Sequence, residues 1–300
     1  MRVAVIGLGS MGMGAALNLL KAPGLEVTGV DPRESARAEF AEAGGFAVPR
    51  AADLPEATEA ALVLVVNAAQ AEAALFGPEG AAPRLASTGA VLVVSATMAP
   101  DDARRLAAKA DAAGHLYLDA PVSGGATGAR AGAMTVMASG AEAAFARARP
   151  VLDAIAKKVW QLGEAPGLGS TVKVVHQLLA GVHIAVAAEA MALGIRAGVE
   201  PRALYDIVTS AAGNSWMFEN RVPHILDADE TPRSAVDIFV KDLGLVGDLA
   251  QSVAFPTPLA AQALQLFISA RAQGHGAKDD AFVIRAYQAL SDFRLPGEEG

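Results

Sequence analysis

The chain opens with an apolar run, Val3-Ala4-Val5-Ile6, that breaks into Gly7-Leu8-Gly9-Ser10-Met11-Gly12 ahead of a helical pattern over residues 15–21. Glycines at this spacing between a strand and a helix suit a phosphate. Gly7 permits the tight turn, Gly9 lets the backbone approach a pyrophosphate, and Gly12 lets the helix pack close to the strand, so that free helix N–H groups face the anion. A second strand pattern, Glu26–Val30, ends at Asp31, 22 residues past Gly9. A carboxylate there accepts hydrogen bonds from adenosine ribose hydroxyls and repels a 2′-phosphate, which favours NAD. Arg33 leaves NADP open, because a guanidinium pairs with that phosphate. The alternative is an ordinary α/β crossover with a capping aspartate.

The second chemical feature is Lys173, one turn into a long Ala-rich helical segment and just after Gly167-Leu168-Gly169-Ser170. His176 and Gln177 follow at i+3 and i+4 and so share its helix face. Val174, Val175, Leu178, Leu179 and Val182 make the segment apolar, which favours a buried lysine that moves a proton over a solvated basic first turn. A free lysine side chain, with a pKa of ~10.4, is protonated at neutral pH, so acting as a base requires burial or a neighbouring cation, and oxidation is expected to run faster at alkaline pH. His176 and His183, two turns apart on one face, could in principle bind a metal with Glu189, but a third ligand at the right position is missing, so core or site histidines are the expectation and no metal is expected.

Three further segments end apolar runs on what would be the carboxyl edge of a parallel sheet. Asp119-Ala120-Pro121-Val122-Ser123-Gly124-Gly125 offers a hydroxyl and two backbone N–H groups to a carboxylate, or is a flexible connection. Thr97 and Asn67 are placed to contact the cofactor, or are turn and cap residues.

The elements that must position these groups alternate. Strand patterns at 3–7, 26–30, 61–66, 91–94 and 115–118 with helices between them predict a Rossmann-type doubly wound parallel sheet. Segments 133–139 and 158–161, flanking a helix over 141–156, are expected to extend the sheet edge. After Gly163 the strand signal stops, and a helix capped by Ser170 or Thr171 runs to about Ala197, before Gly198. The expected domains are 1–163, binding NAD, and 164–300, all-helical. The chain of 300 residues is 53% hydrophobic with net charge −8 and no cysteine. It fits two packed domains, not a phosphate-backbone binder, a disulfide scaffold or a thiol enzyme. Residues 178–193, interrupted by His183 and Glu189, fall short of the ~20 that a bilayer span needs. The strand pattern starts within two residues of the N-terminus, so no signal peptide is expected, and a cytoplasmic protein with neither membrane nor nucleic acid as partner is.

With these residues in hand, the chain resembles the β-hydroxyacid dehydrogenase family, the group that contains 3-hydroxyisobutyrate dehydrogenase and tartronate semialdehyde reductase. Gly7-Leu8-Gly9-Ser10-Met11-Gly12, Asp119 to Gly125, Gly169-Ser170-Thr171-Val172-Lys173 and Lys241-Asp242-Leu243-Gly244-Leu245 match its four motifs in order. The resemblance implies that Lys173 is catalytic, that Ser123, Gly124 and Gly125 hold a substrate carboxylate, and that Gly7, Leu8, Gly9, Met11, Gly12, Thr97 and Lys241 contact the cofactor. It places Asp248 in the late motif without a role, and implies a homodimer or homotetramer.

The departures concern the substrate. His176-Gln177 stands where the common pattern has Asn-Asn, Arg233-Ser234 where many members have Gly-Phe, and Val66-Asn67-Ala68-Ala69-Gln70 where a Met-Leu-Pro-like stretch is usual. These variants resemble the branch that oxidises L-threonate, a small hydroxy acid, at C2, with His176 and Gln177 as substrate contacts. Oxidation of 3-hydroxyisobutyrate or reduction of tartronate semialdehyde at C3 is the alternative, and a non-catalytic NAD(H) sensor stands outside both.

Overall fold

The computed structural model describes residues 1–85 and 89–298. Contacts divide the chain into two compact units, Met1–Lys173 and Val174–Gly300.

The first unit is built on six parallel strands: β1 (Arg2–Ile6), β2 (Glu26–Val30), β3 (Phe46–Val48), β4 (Ala60–Val63), β5 (Val91–Val94) and β6 (Leu116–Asp119). Their spatial order is β3-β2-β1-β4-β5-β6, the doubly wound order whose reversal between β1 and β4 opens a crevice at the carboxyl ends of the strands. Side chains alternate across a strand, and here each face feeds its own core. Val3, Val5, Leu62, Val91 and Val93 join one buried cluster, while Ala4, Ile6, Val63, Leu92 and Val94 join the other. Burial on both faces explains why these strands read as unbroken apolar runs.

Two features of the strands differ from the sequence expectation. Strand β3 is three residues long with Phe46 exposed, too short and too wet to leave a pattern. Segments 133–139 and 158–161 do not extend the parallel sheet; β7 (Val122–Ser123), β8 (Met134–Ala138) and β9 (Ala156–Gln161) form a second sheet in the order β7-β8-β9. An isolated bridge between Asp119 and Ser139 links it to the first sheet. Pro121 lies at the turn from β6 into β7; it has no N–H to give a ladder and offers its carbonyl to Met137 N–H at 2.9 Å.

The second unit is helical. It contains most of the helix Leu168–Arg196, then Pro201–Thr209, Trp216–Leu226, Val236–Ser252 and Pro258–Ala270, followed by short turns to Arg285–Gln288. Its core joins Ala180, Ile184 and Met191 of the long helix to Phe218, Phe239 and Phe267. The long helix corrects the reading of residues 178–193. It runs 29 residues with a window of mean hydropathy 1.9, long and apolar enough by length and composition to cross a membrane. A buried core helix passes the same test, and Val174, Ala180, Ile184, Ala188 and Met191 are buried within the protein.

Candidate active site

Gly7 leaves β1 with φ +94°, a conformation that disfavours any side chain, and a Cβ there would sit 2.7 Å from the Leu64 carbonyl oxygen. A Cβ on Gly12 would lie 1.8 Å from the Gly7 carbonyl oxygen, so the helix Ser10–Lys21 closes on the turn only with glycine. A Cβ on Gly9 would meet nothing within 4 Å. Gly9 is also the helix N-cap and supplies no side-chain cap, and the first turn carries no acid. The first N–H groups of a helix have no intrahelical acceptor. The turn is thus an open cradle suited to a pyrophosphate. Leu8 is buried and Met11 half-buried beside it. At the end of β5 the buried Ser95 hydroxyl has no hydrogen-bond partner among the described residues, an orphan that a polar group of a dinucleotide would satisfy.

Asp31 and Arg33, read as opposing indicators, are joined. The Asp31 carboxylate accepts from Leu8 N–H at 2.9 Å, from Arg33 N–H at 2.9 Å, and from Arg33 Nε and Nη2 at 3.0 Å each. Burial pushes this carboxyl up, and the bonds from the Arg33 side chain and backbone and from Leu8 outweigh it, leaving the group below the ordinary carboxylate value. Both oxygens of Asp31 are thus engaged, largely by the exposed Arg33 side chain.

Asn67 caps the helix Ala68–Phe76: its Oδ1 accepts from Gln70 N–H at 2.9 Å, and Gln70 Oε1 accepts from Val66 N–H at 2.9 Å. The first bond is that of a capping box, and the second reaches the residue before the cap instead of the cap itself. Thr97 is half-buried in the extended segment after β5. Ser123 closes β7, and Gly124 and Gly125, with φ +136° and +61°, lead into the helix Gly125–Arg130.

The start of the helix that carries Lys173 is held from outside the helix. Neither Ser170 nor Thr171 is its cap. The helix begins at Leu168, and its amides meet a buried carboxylate, with Asp119 Oδ2 accepting from Gly167 N–H at 3.0 Å and Ser170 N–H at 2.8 Å. Asp119 Oδ1 accepts from the Ser170 hydroxyl at 2.7 Å, and Ser139 Oγ accepts from Gly169 N–H at 3.1 Å. Thr171 donates its hydroxyl back to the Gly167 carbonyl at 2.7 Å. Burial raises the Asp119 carboxyl above its ordinary value, although the bonds from Ser170, Gly167 and Ser139 oppose the shift. Lys173 follows on this anchored turn and is itself 7% exposed.

In the second unit a different cluster forms around Asp242. Gln177 donates its amide nitrogen to Asp242 Oδ2, Lys241 Nζ donates to Asp242 Oδ1 at 2.5 Å, and Gln177 Oε1 lies 3.0 Å from His176 Nδ1. Gln177 and Asp242 are both buried. Arg233 and Ser234 are tied to a buried acidic pair instead: Arg233 N–H donates to Asp279 Oδ2 at 3.0 Å, and the Ser234 carbonyl accepts from Asp280 N–H at 2.9 Å.

Sequence reasoning quoted Asp119 and Asp242 inside motifs and gave neither a role. An acid closing an apolar strand just before Ala-Pro, and an acid beside the late lysine, were the available signals. Asp248, in the same late motif, is exposed.

Doubly wound topology, an open glycine cradle and a buried lysine on an anchored helix define a dinucleotide-dependent oxidoreductase. Residues 2–163 match the family model of the NAD binding domain of 6-phosphogluconate dehydrogenase, and residues 167–287 match that of the NAD-binding of NADP-dependent 3-hydroxyisobutyrate dehydrogenase. The chain belongs to the 3-hydroxyisobutyrate dehydrogenase-like family of β-hydroxyacid dehydrogenases, and its cofactor is NAD(P). It is 54% identical over 296 residues to the L-threonate dehydrogenase of Escherichia coli strain K12, covering 98% of this chain and 96% of that protein. It is 35% identical over 272 residues to the 3-hydroxyisobutyrate dehydrogenase of Pseudomonas aeruginosa, covering 88% and 90%. A crystal structure described as 3-hydroxyisobutyrate dehydrogenase from Salmonella typhimurium superposes with a TM-score of 0.91 at 53% identity, covering 95% of this chain and 99% of that one.

Proposed function

We propose that the chain oxidises L-threonate at C2 to the 2-keto acid with NAD, and that Lys173 is its acid/base. The observation that carries this reading is the buried Lys173 with two polar neighbours, His176 and Gln177, on the following turn of the same helix. The near-full-length identity to L-threonate dehydrogenases supports it.

Bound NAD supplies the acceptor for the hydride that leaves C2. Lys173 Nζ takes the proton of the C2 hydroxyl as that carbon becomes a carbonyl, and in the reverse direction its ammonium returns the proton. Ser123, Gly124 and Gly125 present a hydroxyl and two backbone N–H groups to the substrate carboxylate. Gly7, Leu8, Gly9, Met11 and Gly12 hold the pyrophosphate. Asp31 meets the adenosine ribose, and Thr97 and Lys241 complete the cofactor contacts. Asn67, whose side-chain oxygen caps its own helix, contributes through backbone placement. The functional domains are 1–163 and 164–300, and the working assembly is a cytoplasmic homodimer or homotetramer.

The second reading, oxidation of 3-hydroxyisobutyrate at C3, is favoured by the description of the Salmonella structure at similar identity. Initial rates of NADH formation at alkaline pH separate the two, using L-threonate, D-erythronate, D-glycerate, L-serine and 3-hydroxyisobutyrate, each repeated with NADP. Preference for L-threonate with a 2-keto product supports the first. Preference for 3-hydroxyisobutyrate or D-glycerate overturns it.

A further inference from the structure

His176 carries a consequence that its neighbours dictate. A carboxylate only accepts hydrogen bonds. Asp242 has one oxygen on the Lys241 ammonium and the other on Gln177, so the Gln177 amide must turn its nitrogen toward Asp242. Its oxygen is then the atom that faces His176 Nδ1 at 3.0 Å. An amide oxygen also only accepts, so Nδ1 must carry the hydrogen. In a neutral imidazole with Nδ1 protonated, Nε2 holds the lone pair.

We propose that Asp242, acting through Gln177, locks His176 in the Nδ1–H tautomer, and that His176 Nε2 thereby selects substrates with a hydroxyl beyond the reacting one. Asp242 and Gln177 are positioning residues in this scheme and His176 determines specificity. The selection half rests on the reading that Lys173 works on a polyhydroxy acid. Lys173 and His176 are three residues apart on one helix and so share a face. In 3-hydroxyisobutyrate the only hydroxyl is the one that gives its proton to Lys173, leaving nothing to donate to Nε2. A four-carbon sugar acid keeps further hydroxyls for that purpose.

The ring nitrogens of the full-length protein, observed by 15N NMR on the alkaline side of neutrality and assigned by loss of signal in His176→Leu, test the lock without any substrate. The expected spectrum shows Nδ1 protonated and Nε2 unprotonated, against the usual preference of a solvated histidine for Nε2–H. Asp242→Asn, whose amide can face either way, is expected to give a mixture of tautomers. Gln177→Leu is expected to do the same, and serves if the Asp242 variant does not fold. An Nε2–H ring in the unsubstituted protein overturns the lock.

For the selection, kcat/KM for L-threonate relative to 3-hydroxyisobutyrate is expected to fall about tenfold in His176→Leu, the value of one ordinary hydrogen bond, mainly through KM. An unchanged ratio overturns His176 as the selector. If L-threonate is not turned over by the unsubstituted enzyme while the Nδ1–H form is present, the proposed substrate and the selection fall together and the lock stands.

Discussion

Lys173 is the residue on which the proposed chemistry turns. Truncating a general acid/base removes the proton transfer and leaves binding surfaces in place, so Lys173→Ala is expected to lower kcat by ~10²–10⁴-fold. NADH affinity, followed by fluorescence titration, should be retained; near-normal turnover would remove Lys173 from the role. Arg33 is the second test at this scale. It occupies both oxygens of Asp31 and is itself the group that would meet a 2′-phosphate. Arg33→Ala releases the carboxylate to the ribose and deletes the phosphate partner. The ratio of kcat/KM for NAD over NADP is therefore expected to rise by roughly tenfold or more, as charge-assisted hydrogen bonds are worth ~1.5–3 kcal/mol. A rise in NADP use would contradict the assigned geometry.

At the scale of elements, the decisive piece is the start of the helix Leu168–Arg196, held by Asp119. Replacing Asp119 by Ala leaves the buried Gly167 and Ser170 amides without their acceptor, and is expected to cost ~1.5–3 kcal/mol in urea unfolding while lowering kcat through a misplaced Lys173. The pH dependence has a definite sign. Because the folded carboxyl titrates above its ordinary value near 3.8, the native state holds a proton that the unfolded state has lost between those two values. Stability relative to Asp119→Asn should therefore rise as pH falls through the raised value, and level off below about 3.8. Asp31 acts oppositely. Its lowered folded pKa contributes stability that is present above the ordinary value and lost as pH falls through the folded one. A difference between wild type and Asp119→Asn that does not change with pH would show that Asp119 titrates normally.

At the scale of the whole molecule, the long helix keeps an apolar stripe that its own chain leaves uncovered. Val175, Leu179, Val186 and Leu193 are 54%, 53%, 52% and 70% exposed, at steps of four and seven residues that align on one helix face. Exposed apolar patches of this kind mark interaction sites, and the proposed homo-oligomer would cover this one. Leu179→Glu combined with Leu193→Glu is expected to shift the particle from an oligomer to the 30.5 kDa monomer in light scattering coupled to gel filtration. An unaltered mass would place the interface elsewhere.

What the sequence by itself determined was local. Each buried parallel strand reads as an apolar run because both of its faces are covered, and the glycine turn reads as a phosphate cradle because Gly7 and Gly12 tolerate no side chain. Lys173, its helix and its two polar neighbours could be placed because helical periodicity is a property of adjacent residues. Tertiary structure decided whatever depends on groups far apart in the chain. Asp119 meets Ser170 across 51 residues and Asp242 meets Gln177 across 65, so neither the real cap of the helix that carries Lys173 nor the orientation of the Gln177 amide left a local pattern. The turn at Pro121 into a second sheet and the three-residue edge strand β3 were hidden for the same reason: strand pairing is settled by partners in space, and short strands carry too few residues to announce them.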